Sequence, residues 1–256
     1  MIPYTGLPLA TRELLLERPE LPVYNLHHNA EPTAELALGL LLAAAKRIVP
    51  IDRRFREGNA KDRGDRSQAL RLAGRRALVL GHGAIGRRIA EGCRGLGLEV
   101  QVLARRARCE GGVRVHGADD LAALLPSSEV LLIALPGTPE TEGLLGAAEL
   151  AALAPDAILV NVARGAIVDE AALYEALRSG RLFGAGLDVW WEPVGGEHPF
   201  PAQHPFAELE NVVLSPHRAG HVRDDHGARA RHLIALLKTL AQGHEPQTRV
   251  DVVAGY

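Results

Sequence analysis

Short apolar runs alternate with amphipathic stretches through the middle of the chain, and this alternation predicts its elements. The apolar runs are expected to be strands, at residues 77–80, 98–103, 130–135, 157–162, 184–189 and 212–215. Between them, the spacing of apolar positions predicts helices at residues 87–95, 118–125, 147–153 and 169–178. Such alternation is typical of an α/β, doubly wound fold, in which helices cover both faces of a parallel sheet.

The two ends of the chain carry shorter elements. Ahead of the sheet we predict a strand at residues 1–5, a helix at 9–17, a strand at 21–26 and one long helix at 31–55. Residues 56–71 are charged and are interpreted as an exposed connector, and one helix at 226–240 follows the last strand. These flanking pieces are too small to form an independent domain, although together they could form part of one.

A glycine-rich turn, Gly81-His82-Gly83-Ala84-Ile85-Gly86, joins the first central strand to the following helix. Gly81 permits the tight turn, Gly83 lets the backbone approach a pyrophosphate, and Gly86 lets the helix pack against the strand. The unpaired N–H groups at the start of the helix favour the anion. Because the turn lies between a strand and a helix, it predicts a dinucleotide site.

The end of the second central strand indicates which dinucleotide is bound. Ala104 stands where a carboxylate would hold a ribose 2′-hydroxyl, and Arg105 and Arg106 follow it. Guanidinium groups bind a phosphate bidentately, so NADP is preferred here and NAD remains possible. The alternative interpretation is that these arginines and Arg108 form a solvated loop.

Composition limits the remaining function classes. The 256 residues are 47% hydrophobic, enough for one large or two small domains, and 29 basic against 31 acidic residues leave no broad basic field. Cys93 and Cys109 are too few for a disulfide framework, so a reducing cytoplasm is expected. No secretory leader is visible, and the apolar run at 36–45 is too short to cross a bilayer. We expect neither a nucleic-acid nor a membrane partner.

Further motifs follow one another along nearly the whole chain. They are Asn29-Ala30 with Thr33-Ala34-Glu35, residues 81–86, 135–141, 161–165 and 186–189, Ser215-Pro216-His217, and residues 252–256. Together they resemble the D-isomer-specific 2-hydroxyacid dehydrogenase family. The resemblance implies a Rossmann dinucleotide-binding domain at residues 49–220 and an incomplete flavodoxin-like substrate domain with a linker helix at 1–48. It also implies a C-terminal helix and tail at 221–256 that return to the substrate domain.

The same resemblance implies an oxidoreductase, usually a homodimer, that transfers a hydride between NAD(P)H and a small 2-oxo or 2-hydroxy acid. This chemistry needs a cation for the substrate carboxylate and an acid or base for the hydroxyl proton. Arg164 follows a strand end where ligands of such sheets bind, and its planar fork matches a 2-oxo acid. His217 occupies the catalytic position of the family.

The acid that orients this histidine departs from the family pattern. It usually stands five residues after the aspartate of the Leu-Asp-Val motif, here Asp188, whereas Glu192 arrives one residue early. Glu192 is therefore the expected partner of His217, with Glu197 or no acid at all as alternatives.

Several other residues are expected to contact the cofactor because of the resemblance. Asp188 matches the residue that hydrogen-bonds the nicotinamide carboxamide, and Pro136 and Thr141 match residues that line the cofactor. Backbone contacts are implied for Ala84, Ile85, Val162 and Gly220. No metal site is expected, because His217, His221 and His226 match no standard zinc spacing.

Family members begin with further strand-helix units, including a glycine-containing loop whose N–H groups hold the substrate carboxylate, and this chain is expected to start after them. Two functions therefore remain open. One is an NADP-linked reductase of glyoxylate or hydroxypyruvate. The other is a cofactor-binding scaffold or corepressor-like protein with little turnover. Trp190 and Trp191 are interpreted either as a wall of the cleft or as core packing.

Overall fold

The computed structural model describes residues 1–7, 9–65, 68–195, 201–253 and 255, without the side chains of residues 9 and 10. Its helices are α1 (Leu9–Leu16), α2 (Ala30–Ala45), α3 (Ile48–Arg56), α4 (Ala84–Gly95), α5 (Leu121–Leu124), α6 (Ala147–Ala152), α7 (Glu170–Arg178) and α8 (Asp225–Ala241). Its strands are β1 (Arg76–Leu80), β2 (Glu99–Leu103), β3 (Arg108–Glu110), β4 (Val113–His116), β5 (Val130–Ile133), β6 (Ala157–Asn161), β7 (Leu182–Leu187) and β8 (Val212–Leu214). Short 3₁₀ turns lie at Lys61–Gly64, Ala118–Asp120, Leu125–Ser127, Gly165–Ile167 and Phe206–Glu208.

The strands form one sheet in the order β3-β4-β2-β1-β5-β6-β7-β8. All neighbours are parallel except β3 and β4. The predicted doubly wound α/β fold is confirmed. Because the chain leaves β1 toward β2 on one side and later continues through β5 on the other, the carboxyl ends of these strands border the crevice where such sheets bind ligands.

The strands are apolar throughout because both faces of the sheet are covered. Leu78 and Leu80 face the cluster that α5, α6 and α7 complete, whereas Ala77 and Val79 face the cluster that α2 and α4 complete. Successive side chains of a strand point to opposite faces, so each run contributes to two cores. Burial on both sides explains why these runs show no alternation with polar residues.

The prediction of one long helix at residues 31–55 is wrong. The chain forms α2 and α3 with a break at Arg47, whose φ of 54° is left-handed. Pro50 is the physical reason. It has no N–H to bond the carbonyl group of Lys46, and its ring would clash with that carbonyl group in a continuous helix.

The hairpin of β3 and β4 is absent from the prediction. Gly111 and Gly112 form its two-residue turn with positive φ angles of 57° and 76°, as a tight antiparallel turn requires. The flanking residues are largely polar, which is why their pattern gave no strand signal. The hairpin continues the sheet directly beyond β2.

The two ends of the chain lie together. In place of the predicted strands at 1–5 and 21–26, isolated bridges join Ile2 to Asn25 and Tyr24 to Arg249. The backbone of Val250 donates a 2.8 Å hydrogen bond to Val23, so the segment after α8 packs against the N-terminal segment. No helix within the described residues is long and apolar enough to cross a bilayer.

Candidate active site

The glycine-rich turn between β1 and α4 is tightly packed on one side and open on the other. Gly81 has a φ of 109°, and a Cβ atom there would overlap the carbonyl oxygen of Ala134. A Cβ atom on Gly86 would overlap the carbonyl oxygen of Gly81. A Cβ atom on Gly83 would meet no atom within 4 Å, so the backbone there borders open space.

These residues fit the diphosphate of a dinucleotide. Ala84 and Ile85 are the first residues of α4, and the N–H groups of a first helical turn have no partner within the helix. They favour an anion in the space beside Gly83. The fit rests on the cradle itself, since a side chain at position 83 would fill it.

Other residues expected at the cofactor lie along the same edge. After β5, the hydroxyl of Thr141 donates a 2.7 Å hydrogen bond to the carbonyl oxygen of Pro136 and accepts one of 2.9 Å from the backbone of Thr138. Val162 directly follows β6, and Gly220 follows β8 in a loop that contacts Asn29. The loops that carry these residues therefore border one crevice.

Arg105 and Arg106 lie in the bend between β2 and β3, and both are exposed. The pKa of the Glu140 carboxyl is lowered first by hydrogen bonding to Thr138 and its own backbone, and further by the charge of Arg105. Because its charge acts on Glu140, Arg105 lies close to the loop that follows β5. The exposed bend that carries the two arginines therefore lies near that loop.

A charged cluster beside these arginines escaped the sequence analysis. Glu110 pairs with Arg87 at 2.7 Å, with Arg108 at 3.0 Å and with the ring of His82 at 3.3 Å. His82 and Arg87 belong to the glycine-rich turn and the start of α4, whereas Arg108 and Glu110 belong to β3. The cluster could be found only once the hairpin was known, because it joins residues far apart in the sequence.

Arg164 lies just after β6, and its side chain packs beside Gly6 and Gly137. Its Nη1 donates a 2.6 Å hydrogen bond to the carbonyl oxygen of Ala163. A Cβ atom on Gly6 would lie 2.6 Å from Nη2, and one on Gly137 would lie 2.9 Å from Cγ. Surrounding protein lowers the guanidinium pKa by desolvation although water still reaches the side chain. The group remains a cation at physiological pH.

His217 follows β8 and adopts a left-handed backbone with a φ of 54°. Its pKa is lowered chiefly by desolvation and then by the charge of Arg164, while Asp188 acts in the opposite direction. The two residues proposed for catalysis therefore lie close enough for their charges to interact. The fold brings them to one edge of the sheet from two different loops.

Asp188 holds the turn that carries His217. Its carboxylate is 1% exposed and accepts hydrogen bonds from the Ser215 hydroxyl, from the backbone of Arg218 at 2.9 Å and from the backbone of Ala219 at 3.0 Å. These donors flank His217 on both sides. Asp188 therefore fixes the backbone turn that carries His217, and its charge acts on the imidazole.

The pairing of Glu192 with His217 stays a prediction. The backbone of Glu192 donates a 3.1 Å hydrogen bond to the carbonyl oxygen of Pro201. The alternative acid, Glu197, lies outside the described residues. Among the described groups whose charges act on His217, the carboxylate is that of Asp188.

The tryptophan pair belongs to the core. The indole of Trp190 donates to the carbonyl oxygen of Ser215 at 2.9 Å, and that of Trp191 donates to Val168 at 2.7 Å. Trp191 also stacks on Phe206 with ring centroids 5.3 Å apart. In the part of the chain that the structure describes, no three metal-ligating side chains come together.

A glycine-containing segment near the start of the sequence lies beside Arg164. Gly6 lies beside Arg164, and the hydroxyl of Thr5 donates a 2.5 Å hydrogen bond to the side chain of Asn29. The backbone N–H groups of Gly6 and Leu7 donate no hydrogen bond to another described residue. The loop therefore presents unused donors next to a guanidinium group.

Residues 38–219 match the family model described as D-isomer specific 2-hydroxyacid dehydrogenase, NAD binding domain. A D-3-phosphoglycerate dehydrogenase of Archaeoglobus fulgidus is 39% identical over 202 residues, which are 77% of this chain and 36% of that protein. A glyoxylate reductase of Korarchaeum cryptofilum is 35% identical over 225 residues, covering 86% of this chain and 66% of that one. This chain thus spans less than two thirds of the length of either relative.

A solved structure is similar over nearly the full length of both chains. It is titled a D-isomer specific 2-hydroxyacid dehydrogenase from Xanthobacter autotrophicus Py2 in complex with NADPH and MES. The TM-score is 0.78 at 32% sequence identity, and the match covers 96% of this chain and 99% of that chain.

Proposed function

Because the chain belongs to the D-isomer specific 2-hydroxyacid dehydrogenase family, we propose that it reduces a small 2-oxo acid, such as glyoxylate or hydroxypyruvate, with NADPH. One observation carries the proposal. Arg164 and His217 lie close enough for their charges to interact, and both follow strands at the edge of the sheet where Gly83 borders open space. The relative of Korarchaeum cryptofilum is named a glyoxylate reductase, which supports this substrate class.

When bound, the nicotinamide supplies or accepts the hydride at C2 of the substrate. The fork of Arg164 binds the substrate carboxylate and the C2 oxygen, and it stabilises the negative charge that develops on that oxygen. The free N–H groups of Gly6 and Leu7 hold the carboxylate from the other side. These contacts fix which face of C2 is presented to the hydride.

His217 moves the proton. As an imidazolium it donates to the C2 oxygen during reduction, and as a neutral imidazole it accepts the hydroxyl proton during oxidation. Asp188 orients it through the turn of residues 215–219. We also propose Glu192 as the acid that orients His217, and only its place in the family pattern supports this role.

The rate of 2-oxo acid reduction is expected to decrease as the pH rises. This decrease should begin at a lower pH than it would with a histidine of ordinary pKa. Burial and the charge of Arg164 lower the pKa of His217 below its usual value of about 6.5. Reduction needs the protonated ring, so kcat/KM for the 2-oxo acid should decrease about tenfold per pH unit above this lowered pKa. Oxidation needs the neutral ring, so its kcat/KM should rise through the same pKa. Steady-state measurements of kcat/KM against pH, for reduction and for oxidation, test both expectations.

For the cofactor we propose NADP over NAD, on the strength of Arg105 and Arg106 at the end of β2. Replacing Ala104 with aspartate places a carboxylate where it accepts from a ribose 2′-hydroxyl and repels a 2′-phosphate. The ratio of kcat/KM for NADPH to that for NADH should fall about tenfold or more. Ala104→Asn is the matched control, because it has the same size without the charge. An unchanged ratio in Ala104→Asp would contradict the preference.

The activity itself is tested by NADPH consumption with a panel of 2-oxo acids. We expect turnover with glyoxylate or hydroxypyruvate, measured as loss of absorbance of the reduced coenzyme. Tight binding of NADPH without turnover on any member of the panel would instead support the scaffold or corepressor-like function. That alternative is not favoured, because the relatives are named as reductases and dehydrogenases.

We also propose a homodimer in the cytoplasm. Three apolar residues of α3 are exposed: Ile48 to 51% of its surface, Val49 to 50% and Phe55 to 67%. This is a large apolar surface for one short helix. Free thiols at Cys93 and Cys109 fit a reducing compartment. Light scattering should give twice the mass of the chain, and the monomer mass would contradict the dimer.

A further inference from the structure

We propose that Glu110 is an internal counter-ion that competes with the 2′-phosphate of NADP for the guanidinium groups of Arg87 and Arg108. The proposal rests on the proposed function, in that it requires a nicotinamide coenzyme at the Gly83 turn. It goes beyond the preference for NADP because it assigns a carboxylate that weakens phosphate binding.

The position of the cluster places it at the adenosine end. His82 lies within the glycine-rich turn, and Arg87 lies in the first turn of α4. Arg108 and Glu110 lie on β3, which begins just after the bend that follows β2. In a sheet of this kind the adenosine ribose binds at the end of β2, beside the glycine-rich turn. The cluster therefore bridges the two elements between which the ribose binds.

The contacts of Glu110 use both of its oxygens. Oε1 pairs with Arg87 at 2.7 Å, and Oε2 pairs with Arg108 at 3.0 Å. Arg108 also reaches the ring of His82 at 3.2 Å. The side chains of Arg87 and Arg108 remain 48% and 38% exposed, so an arriving phosphate can contact both. Glu110 thus holds the two guanidinium groups together while leaving their outer faces open.

The charges of the cluster explain why Glu110 opposes a second anion. Hydrogen bonds from Arg108 and Arg87 lower the pKa of the Glu110 carboxyl, so it is ionised at neutral pH. Burial and the two arginines lower the pKa of His82, so the imidazole adds no positive charge there. One of the two positive charges is therefore neutralised before the coenzyme arrives. A 2′-phosphate must share the remaining charge and lie near a carboxylate.

The substitution Glu110→Gln separates the effect of the negative charge from the effect of the side-chain shape. It keeps an oxygen that accepts from an arginine, but it removes the negative charge. For Glu110→Gln we expect the affinity for NADPH to increase about fivefold at low ionic strength, because exposed charge pairs have effects of this size. The affinity for NADH, which lacks the 2′-phosphate, should stay within about twofold.

The experiment measures dissociation constants of the whole protein by calorimetry, without any substrate. The ligands are NADPH, NADH, adenosine 2′,5′-bisphosphate and AMP, each with the wild type and with Glu110→Gln. Glu99→Gln is the matched control, since Glu99 is an exposed residue at the opposite end of β2. The double variant Arg108→Gln, Glu110→Gln should not show the gain in NADPH affinity. A higher salt concentration should reduce the gain that Glu110→Gln shows.

The outcomes separate this proposal from the proposed function. Tighter NADPH binding by Glu110→Gln than by the wild type, with NADH binding within about twofold, supports competition by Glu110. An unchanged ratio overturns it, even where the wild type binds NADPH tightly. Weaker NADH binding with unchanged NADPH binding also overturns it, because Glu110 would then hold the 2′-hydroxyl. If none of the four ligands binds any of the proteins, the coenzyme site itself is refuted and the proposed function fails.

Discussion

Replacing His217 with glutamine is expected to lower kcat for 2-oxo acid reduction by about 10³-fold, the usual contribution of a general acid. Glutamine retains a hydrogen-bond donor but cannot deliver a proton to the C2 oxygen. The binding of NADPH should stay within about twofold, because the proposed mechanism gives His217 a proton to transfer and no phosphate to contact. Steady-state kinetics and direct coenzyme titration measure the two effects separately.

His221→Gln is the matched control for this substitution. His221 is exposed and lies near enough to act on the charge of His217, yet the proposed mechanism gives it no proton to transfer. Its removal should change kcat less than about threefold. Equal losses in the two variants, or a His217→Gln variant with wild-type kcat, would remove His217 from the mechanism.

The parts of the site that depend on short-range sterics could be predicted from the sequence. A Cβ atom on Gly81 or Gly86 would overlap backbone atoms of Ala134 or of the turn itself, whereas Gly83 borders open space. Each requirement acts on a glycine inside a strand-turn-helix unit, so the motif alone was informative. The central strands were predictable for a similar reason, because burial on both faces leaves continuous apolar runs.

The parts that depend on distant residues could not be predicted in this way. The sequence pattern predicts Glu192 as the acid beside His217, and the structure adds the carboxylate of Asp188, which the parallel pairing of β7 and β8 brings close enough to act on the charge of His217. Glu110 meets Arg87 only because the Gly111-Gly112 turn folds β3 back beside β4. Pairings between strands decide both contacts, and no local pattern reports them.

The loop at Gly6 illustrates the same limit. The resemblance to the family implies that the chain starts after the family's carboxylate-binding loop, and the sequence analysis assigns no role to Gly6. The structure places Gly6 against Arg164 and fixes Thr5 through Asn25 and Asn29. Asn25 and Asn29 therefore position a short segment for which the sequence analysis predicts a strand.

Replacing Arg164 with glutamine is expected to lower kcat/KM for the 2-oxo acid by about 10³-fold or more, since the group binds the carboxylate and stabilises the developing charge. Arg164→Lys should recover little, because an ammonium group keeps the charge but loses the planar fork. Arg218→Gln is the matched control. It removes an exposed arginine next to His217, and kcat/KM should stay within about threefold of the wild type.

The loss of Arg164 should also act on the pKa of His217. The guanidinium charge lowers that pKa, so Arg164→Gln should raise it and move the fall of residual reductase activity to higher pH. NMR titration of the imidazole in the coenzyme-free protein measures the shift without substrate. An arginine too distant to act on the charge of His217 would leave this pKa unchanged. An unaltered titration together with wild-type kcat/KM would therefore show that Arg164 and His217 do not act in one site.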